Sequence, residues 1–218
     1  MTSFAFVLGY VAGSVSGARL VGRSIEFGPT EVIVDGAGSS VVVDGVSPSM
    51  LRAREGDSAG LRAAAIDIAK AAVPALVARI VWGRSSAAAA GTGAVLGHVF
   101  PAHRGFRGGF GMSPLMGAMA VIDPVGLVVT IIGGMAAGAA AGSAFAMTDI
   151  WPALTIPWFR RRRDGSGLAF ATASAAVYFW RSRREMMAAW KGWRTDDRPW
   201  IERVADITTY PAYRPGVV

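Results

Sequence analysis

The sequence predicts an all-α integral membrane protein with about seven transmembrane helices, some short or broken, and a small extramembrane loop or hairpin at 24–60. Three observations carry that reading. Hydrophobic residues make up 52% of the chain, charged residues only 17%, and the mean hydropathy is +0.40, well outside the pattern of a water-soluble domain. Apolar stretches recur at lengths that enter a bilayer. Between them lie short basic, glycine-rich and turn-forming segments.

The first 18 residues carry no charge and are followed by Arg19 and Arg23. A signal peptide places its basic region before the apolar core, so this order predicts a first membrane helix. Residues 24–60 change character, because VIVDG and VVVDG each end a β-branched run in Asp-Gly, a strong turn signal. From Leu61, the run LRAAAIDIAKAAVPALVARIVWG offers roughly 23 residues, about 34 Å at 1.5 Å per residue, enough to cross. Asp67 and Lys70 lie three apart on one face of it. A lone charge in hydrocarbon is costly, so the two are expected to pair and face the bundle interior, either as a packing salt bridge or as part of a site.

A third span runs from about Ser85 to Phe100, its Ala and Gly content allowing close approach of a neighbour. Residues 112–122 form a short apolar piece ended by Asp123 and Pro124. Pro124 to Thr148 is uncharged, and a span or half-span follows through Ile150 to Phe159. The last span, Leu168 to Trp180, is short and ends in RSRRE, whose arginines can snorkel to the headgroups. The organisation expected is a polytopic membrane domain over 1–195 and a C-terminal tail over 196–218. The aromatic and methionine cluster from Tyr178 to Trp193 reads as an interfacial belt.

The net charge of +7 is uneven: +1 through Phe159 and +6 from Arg160 onward. Beside membrane segments, a basic surplus reads as an orientation signal or a contact with anionic lipid, and no recognition motif supports nucleic acid. Regular alternation of the spans puts the glycine-rich segment and the C-terminus on the cytoplasmic side and leaves RRRRD at 160–164 outside, against the positive-inside tendency. Cysteine is absent and His98 and His103 are the only imidazoles. Neither a disulfide framework nor a metal site is expected, and no cofactor.

The segment GHVFPAHRGFRGGFG, residues 97–111, is the strongest chemical signal. Gly105, Gly108, Gly109 and Gly111 would let backbone N–H groups converge on a phosphate, with Arg104 and Arg107 offsetting its charge. The bland alternative is a tight interhelical turn with headgroup-contacting arginines. His98 either orients a phosphate or accepts a proton, or is a hydrogen-bonded structural histidine at a helix end. Ser14 either meets a phosphate or satisfies a helix carbonyl, and Arg23 either joins it or anchors a span. No Ser-His-Asp arrangement is evident.

The order of GSVSGARLVGR (13–23), LRAREGDSAGLRAAAIDIAKAAVPAL (51–76) and the glycine segment resembles the bacterial acyl-phosphate-dependent glycerol-3-phosphate acyltransferases of phospholipid synthesis, over most of the chain. The first motif, GSIPxxxLxxR, is matched by Gly13, Ser14, Leu20 and Arg23, with Ser16 in place of proline. The second, LRxxGxxxGxxxxxxDxxKG before a proline, is matched by Leu51, Arg52, Gly60, Asp67, Lys70 and Pro74, with Ala71 in place of the last glycine. The third, GHxFPxFxxFKGGKG, is matched by Gly97, His98, Phe100, Pro101, Phe106, Gly108, Gly109 and Gly111, with Arg107 for the first lysine and Phe110 for the second.

The C-terminal motif, RHRxNIxRLxxGxE, keeps Arg181 and Arg183, but Ser182 replaces histidine, Glu185 asparagine, Ala188 arginine and Arg194 glutamate. The asparagine-rich loop is reduced to VDGVSPSMLR, with Asp44 and Ser49 where the family has asparagines.

The resemblance implies a multi-pass enzyme of the bacterial cytoplasmic membrane that transfers an acyl group from acyl phosphate to glycerol 3-phosphate or a related phosphorylated acceptor. It implies catalytic roles for His98 and Ser14. Substrate contacts would come from Arg23, Arg52, Lys70, Arg107, Gly108, Gly109, Gly111, Arg181 and Arg183. The replaced polar groups imply weakened use of glycerol 3-phosphate, and a catalytically inactive lipid-binding or scaffold relative is the alternative.

Overall fold

A computed structural model describes residues 1–22, 30–33, 38, 40–43, 47–205 and 212–215. The chain runs α1 (Thr2–Gly13), α2 (Gly17–Val21), β1 (Thr30–Ile33), β2 (Ser40–Val43), α3 (Pro48–Glu55), α4 (Asp57–Trp82), α5 (Arg84–Val99), a 3₁₀ turn (Ala102–Arg104), α6 (Met112–Ile122), α7 (Pro124–Ala141), α8 (Ala144–Arg161), α9 (Gly165–Thr195), α10 (Trp200–Ala205) and β3 (Ala212–Pro215). Among the described residues, seven helices reach eleven residues or more. Two segments, Thr2–Val21 and Pro124–Ala141, are apolar and long enough by length and composition to cross a membrane.

Glycine spacing explains the tightest helix pair. Gly9 and Gly13 on α1 lie against the Ala90 and Ala94 backbone of α5, and Gly93 and Gly97 on α5 against the Phe6 and Tyr10 backbone of α1: a Cβ at Gly9 would lie 2.0 Å from the Ala90 carbonyl oxygen, one at Gly97 2.1 Å from that of Tyr10. No other residue permits this backbone-to-backbone contact, and the small-xxx-small spacing on both helices is its signature. Elsewhere Leu115, Met119 and Ile122 of α6 pack with Phe159 and Phe170 in the main core. Large apolar side chains such as Val7, Ile80, Val128 and Ile132 point outward on α1, α4 and α7, the reverse of the polar exterior of a water-soluble bundle.

The β-branched runs do form a hairpin: β1 pairs antiparallel with β2, Thr30 opposite Val43 and Ile33 opposite Ser40. The Asp-Gly turns themselves, at 35–36 and 44–45, lie outside the described residues. The chain is therefore not wholly α-helical. β3, from the stretch expected to be a tail, pairs with the other edge of β1, giving the order β2-β1-β3.

The element boundaries depart from the sequence reading at three places, two of them through a cap. Ser47 accepts from the Met50 N–H at 3.2 Å with Pro48 at the first helical position, so the loop at 24–60 already contains α3 and the start of α4. Gly142 (φ +60°) and Ser143, which accepts from Ala146 N–H, break the apolar stretch six residues earlier than Thr148. The last helix is not short: α9 runs 31 residues through the arginines to Thr195. It continues because one face stays buried, at Ser182, Glu185, Ala189 and Gly192.

Candidate functional site

The long helices give the bundle two ends. At one, α1, α5 and α9 meet the glycine segment. At the other lie the α4–α5, α6–α7 and α8–α9 connections, with RRRRD among them, so the glycine segment and the arginine run do sit at opposite ends.

The site is built on a buried ion pair. Asp67 and Lys70, one α-helical turn apart on α4, pair at 2.8 Å with side chains 1% and 6% exposed, as the spacing predicted. Asp67 Oδ1 also accepts the Gly17 N–H at 2.9 Å, holding the break between α1 and α2 against α4. The Lys70 ammonium donates to the Val15 carbonyl and meets His98 Nδ1 at 2.7 Å. An ammonium only donates, so Nδ1 is the acceptor and Nε2 carries the imidazole proton. His98 is thus fixed as a neutral donor aimed through Nε2.

Nε2 faces the glycine segment. A Cβ at Gly109 would lie 2.2 Å from it, and one at Gly108 would lie 1.9 Å from the His98 carbonyl oxygen. These glycines make room for the imidazole. Their amides do not form the expected phosphate cradle, because Gly108 N–H donates to the Val99 carbonyl and Gly109 N–H to that of His98, both at 3.1 Å. The Phe106, Arg107 and Gly105 amides likewise bond within the loop. Gly111 takes a left-handed φ of +94° where α6 begins, a conformation glycine adopts without cost. What the segment offers an anion is side-chain charge.

Ser14, Ser16, Arg19, Arg104, Arg107 and His98 line one shallow depression. The Ser14 hydroxyl donates to the Tyr10 carbonyl at 2.8 Å, satisfying a helix carbonyl while leaving its lone pairs at the depression. Burial, then the neighbouring charge of Arg19, presses the Arg104 pKa below its ordinary value. Like charges held together in this way are relieved by an anion. Tyr10, which the sequence did not single out, fastens the loop: its hydroxyl donates to the Phe100 carbonyl at 2.6 Å and accepts the Ala102 N–H at 3.1 Å.

On the other side of His98 lies a second cavity of about 300 Å3, lined by Phe110, Ser113, Tyr178, Ser182 and Glu185 among others. Arg181 reaches its rim, stacked 4.9 Å over the Phe110 ring and donating to the Gly108 carbonyl at 3.4 Å, so a cation stands beside the position where the resembling motif has lysine. Beyond α9 an apolar groove of about 580 Å3 opens between α8 and α9, lined by Ile150, Phe179, Met186, Trp190 and Trp193. Residues 178, 182 and 185 face the cavity beside His98 and 179, 183, 186, 190 and 193 the groove, as helical periodicity requires.

Not every expected contact gathers here. Arg52 is exposed and pairs with Asp57 at 2.6 Å, beside a different surface hollow. Arg183 bonds the Trp180 carbonyl at 2.6 Å, stacks on its ring and lines the groove instead of the cavity. Arg23 lies outside the described residues. Arg19 and Tyr178 join the site without having been expected. The signal for Arg19 was its place just after the break at Ser14–Ser16; Tyr178 gave none, since only the path of α9 brings it to His98. Among the described residues no group of three metal-ligating side chains comes together.

The described helices form an apolar multi-helix bundle that carries a cationic depression, a buried Lys–His–Asp group and an apolar groove. The chain belongs to the glycerol-3-phosphate acyltransferase family, whose model matches residues 3–192. It is 34% identical over 125 residues to a glycerol-3-phosphate acyltransferase of Methylorubrum extorquens, covering 56% of each chain, and 33% identical over 124 residues to one of Cereibacter sphaeroides. The chain thus spans a little over half the length of the curated relatives it matches. Its fold is that of PlsY (YgiH), an integral membrane glycerol 3-phosphate acyltransferase: against the lysophosphatidic acid form the TM-score is 0.71 at 19% identity, over 94% of this chain and 98% of that one. The glycerol 3-phosphate form gives 0.71 at 18% identity.

Proposed function

We propose that the protein is a multi-pass acyltransferase of the bacterial cytoplasmic membrane, moving an acyl group from acyl phosphate to glycerol 3-phosphate or a related acceptor. The observation that carries this reading is the convergence of Ser14, His98 and three arginines on one depression, braced from behind by the Lys70–Asp67 pair. The outward apolar side chains of α1, α4 and α7 support membrane embedding, with about seven spanning segments.

The chemistry asks little of the protein beyond placement. The acceptor hydroxyl oxygen attacks the carbonyl carbon of the acyl phosphate, and the bond from that carbon to the phosphate oxygen breaks. Phosphate leaves with the bonding pair and takes up the hydroxyl proton, so no protein nucleophile is needed. Arg104 and Arg107 stabilise the charge that builds on the leaving phosphate, and His98 donates through Nε2 to the same group. With Lys70 on its Nδ1, His98 orients; it does not act as the base. The apolar groove between α8 and α9 takes the acyl chain.

The test is phosphate release by the purified protein from a long-chain acyl phosphate, with and without glycerol 3-phosphate and other polyol acceptors. Acceptor-dependent release supports the assignment. Absence of release with every acceptor, by folded protein, leaves the inactive relative as the description.

A further inference from the structure

The cavity beside His98 and the apolar groove lie on opposite sides of the seam between α8 and α9. On α8, Thr148 faces the cavity while Asp149 and Ile150 face the groove; on α9, Tyr178 faces the cavity and Phe179 the groove. His98 borders the cavity and the cationic depression but not the groove. A substrate with its reacting carbonyl beside His98 and its hydrocarbon tail in the groove therefore crosses that seam. A hydrogen bond spans it at this level: the Tyr178 hydroxyl donates to Asp149 Oδ1 at 2.6 Å, and Tyr178 is buried. The helix that carries the acceptor is weakened at the same turn. Pro152 lies inside α8 and has no N–H to give the Thr148 carbonyl four residues before it.

Building on the acyltransferase reading, we propose that the Tyr178–Asp149 pair is the latch of this passage and makes the site selective for the length of the acyl chain. A chain short enough to end in the cavity leaves the bond intact. A longer chain parts it and runs between α8 and α9, with its tail against Phe179, Met186 and Trp190 in the groove. The bond thus sets a threshold: hydrocarbon beyond the seam must bury enough area to outweigh the hydrogen bond it displaces. A ligand opens such a latch only through its stronger binding to the open state, and the tail of a long donor supplies that difference where a short one has nothing to place.

The test measures equilibrium binding, on the whole protein in lipid nanodiscs and without turnover, of phosphonate analogues of hexanoyl and palmitoyl phosphate in which a methylene replaces the bridging oxygen. Each variant is compared with wild type for the same analogue, so that partition into the bilayer cancels. Tyr178→Phe keeps the ring and removes the bond, Asp149→Ala removes its acceptor, and Asp149→Asn keeps an acceptor oxygen for the Tyr178 hydroxyl. The ratio of palmitoyl to hexanoyl affinity should rise at least threefold in Tyr178→Phe and Asp149→Ala and stay at the wild-type value in Asp149→Asn, with thermal unfolding identifying the folded variants. An unchanged or lower ratio in either folded bond-breaking variant, an equal rise in Asp149→Asn, or no binding of the palmitoyl analogue by wild type overturns the proposal. Release of phosphate from palmitoyl phosphate in the presence of glycerol 3-phosphate is read separately. Turnover with an unchanged binding ratio removes the latch and keeps the acyltransferase; a shifted ratio with no turnover by any of the proteins removes the acyltransferase and keeps the latch.

Discussion

Both ends of the bundle carry arginines and use them differently. At the end away from the glycine segment, Arg84 bonds Asp164 at 2.7 Å and the Ile122 carbonyl at 2.6 Å, Arg162 pairs with Asp123 at 3.2 Å, and Asp123 caps α7 through the Gly126 N–H. Those charges tie three interhelical connections together. At the glycine end, Arg19, Arg104 and Arg107 share one depression, and Arg104 feels the repulsion of Arg19. Cross-compensated charge is structure; like charge held together against its own repulsion is a place for an anion.

The sharpest way to break the contrast is Asp67→Ala, which leaves the Lys70 ammonium buried and releases the Gly17 anchor. Removing one member of a buried pair costs about 3–5 kcal/mol, so this variant should lose most of its stability in a detergent thermal-unfolding assay. A Tm within a degree or two of wild type would show that water reaches the pair.

Gly109→Ala comes next. Its Cβ would displace the His98 imidazole, and we expect about a hundredfold loss of kcat/KM with the bundle intact, on the order of 2.7 kcal/mol at roughly 1.4 kcal/mol per decade. Activity near wild type would place His98 outside the chemistry.

The third prediction exchanges the ends. Arg107→Ala should weaken binding of a phosphorylated ligand by one to two decades, for a lost charge-assisted hydrogen bond of about 1.5–3 kcal/mol, and leave the Tm unchanged. Arg84→Ala should lower the Tm and leave ligand affinity unchanged. If the two variants traded effects, the assignment of the ends would be reversed.

The smallest effect is that of pH on the structural end. Burial pushes the Asp164 carboxyl up, but the Gly167 N–H, the Ser166 hydroxyl and Arg84 outweigh it and hold the pKa below the ordinary value. A depressed carboxylate contributes stability that is present above its unfolded pKa of about 4 and is lost as pH falls through the lower folded value. Wild type should therefore lose more stability than Asp164→Asn between pH 6 and pH 3, read as Tm; equal losses would remove Asp164 from the network.

Much of this was local, and so legible in the chain. Hydropathy marked the apolar segments, the Asp67–Lys70 spacing put both charges on one helical face, and the Gly9/Gly13 and Gly93/Gly97 spacings carried the α1–α5 contact. The motif order carried the family. Caps set helix ends from one or two residues, and reading Ser47-Pro48 or Gly142-Ser143 as caps would have placed α3 and the α7–α8 break. Tertiary structure alone decided what meets across the bundle. It consumed the Gly108 and Gly109 amides in backbone bonds, turned His98 into a donor by bringing Lys70 to its Nδ1, sent Arg52 and Arg183 away from the site, and brought β3 back to β1. It also joined Tyr178 to Asp149 across the α8–α9 seam. Periodicity fixes the face a residue shares with its own helix, whereas the group opposite comes from a helix tens of residues away, and its position follows only from the packing of the whole bundle.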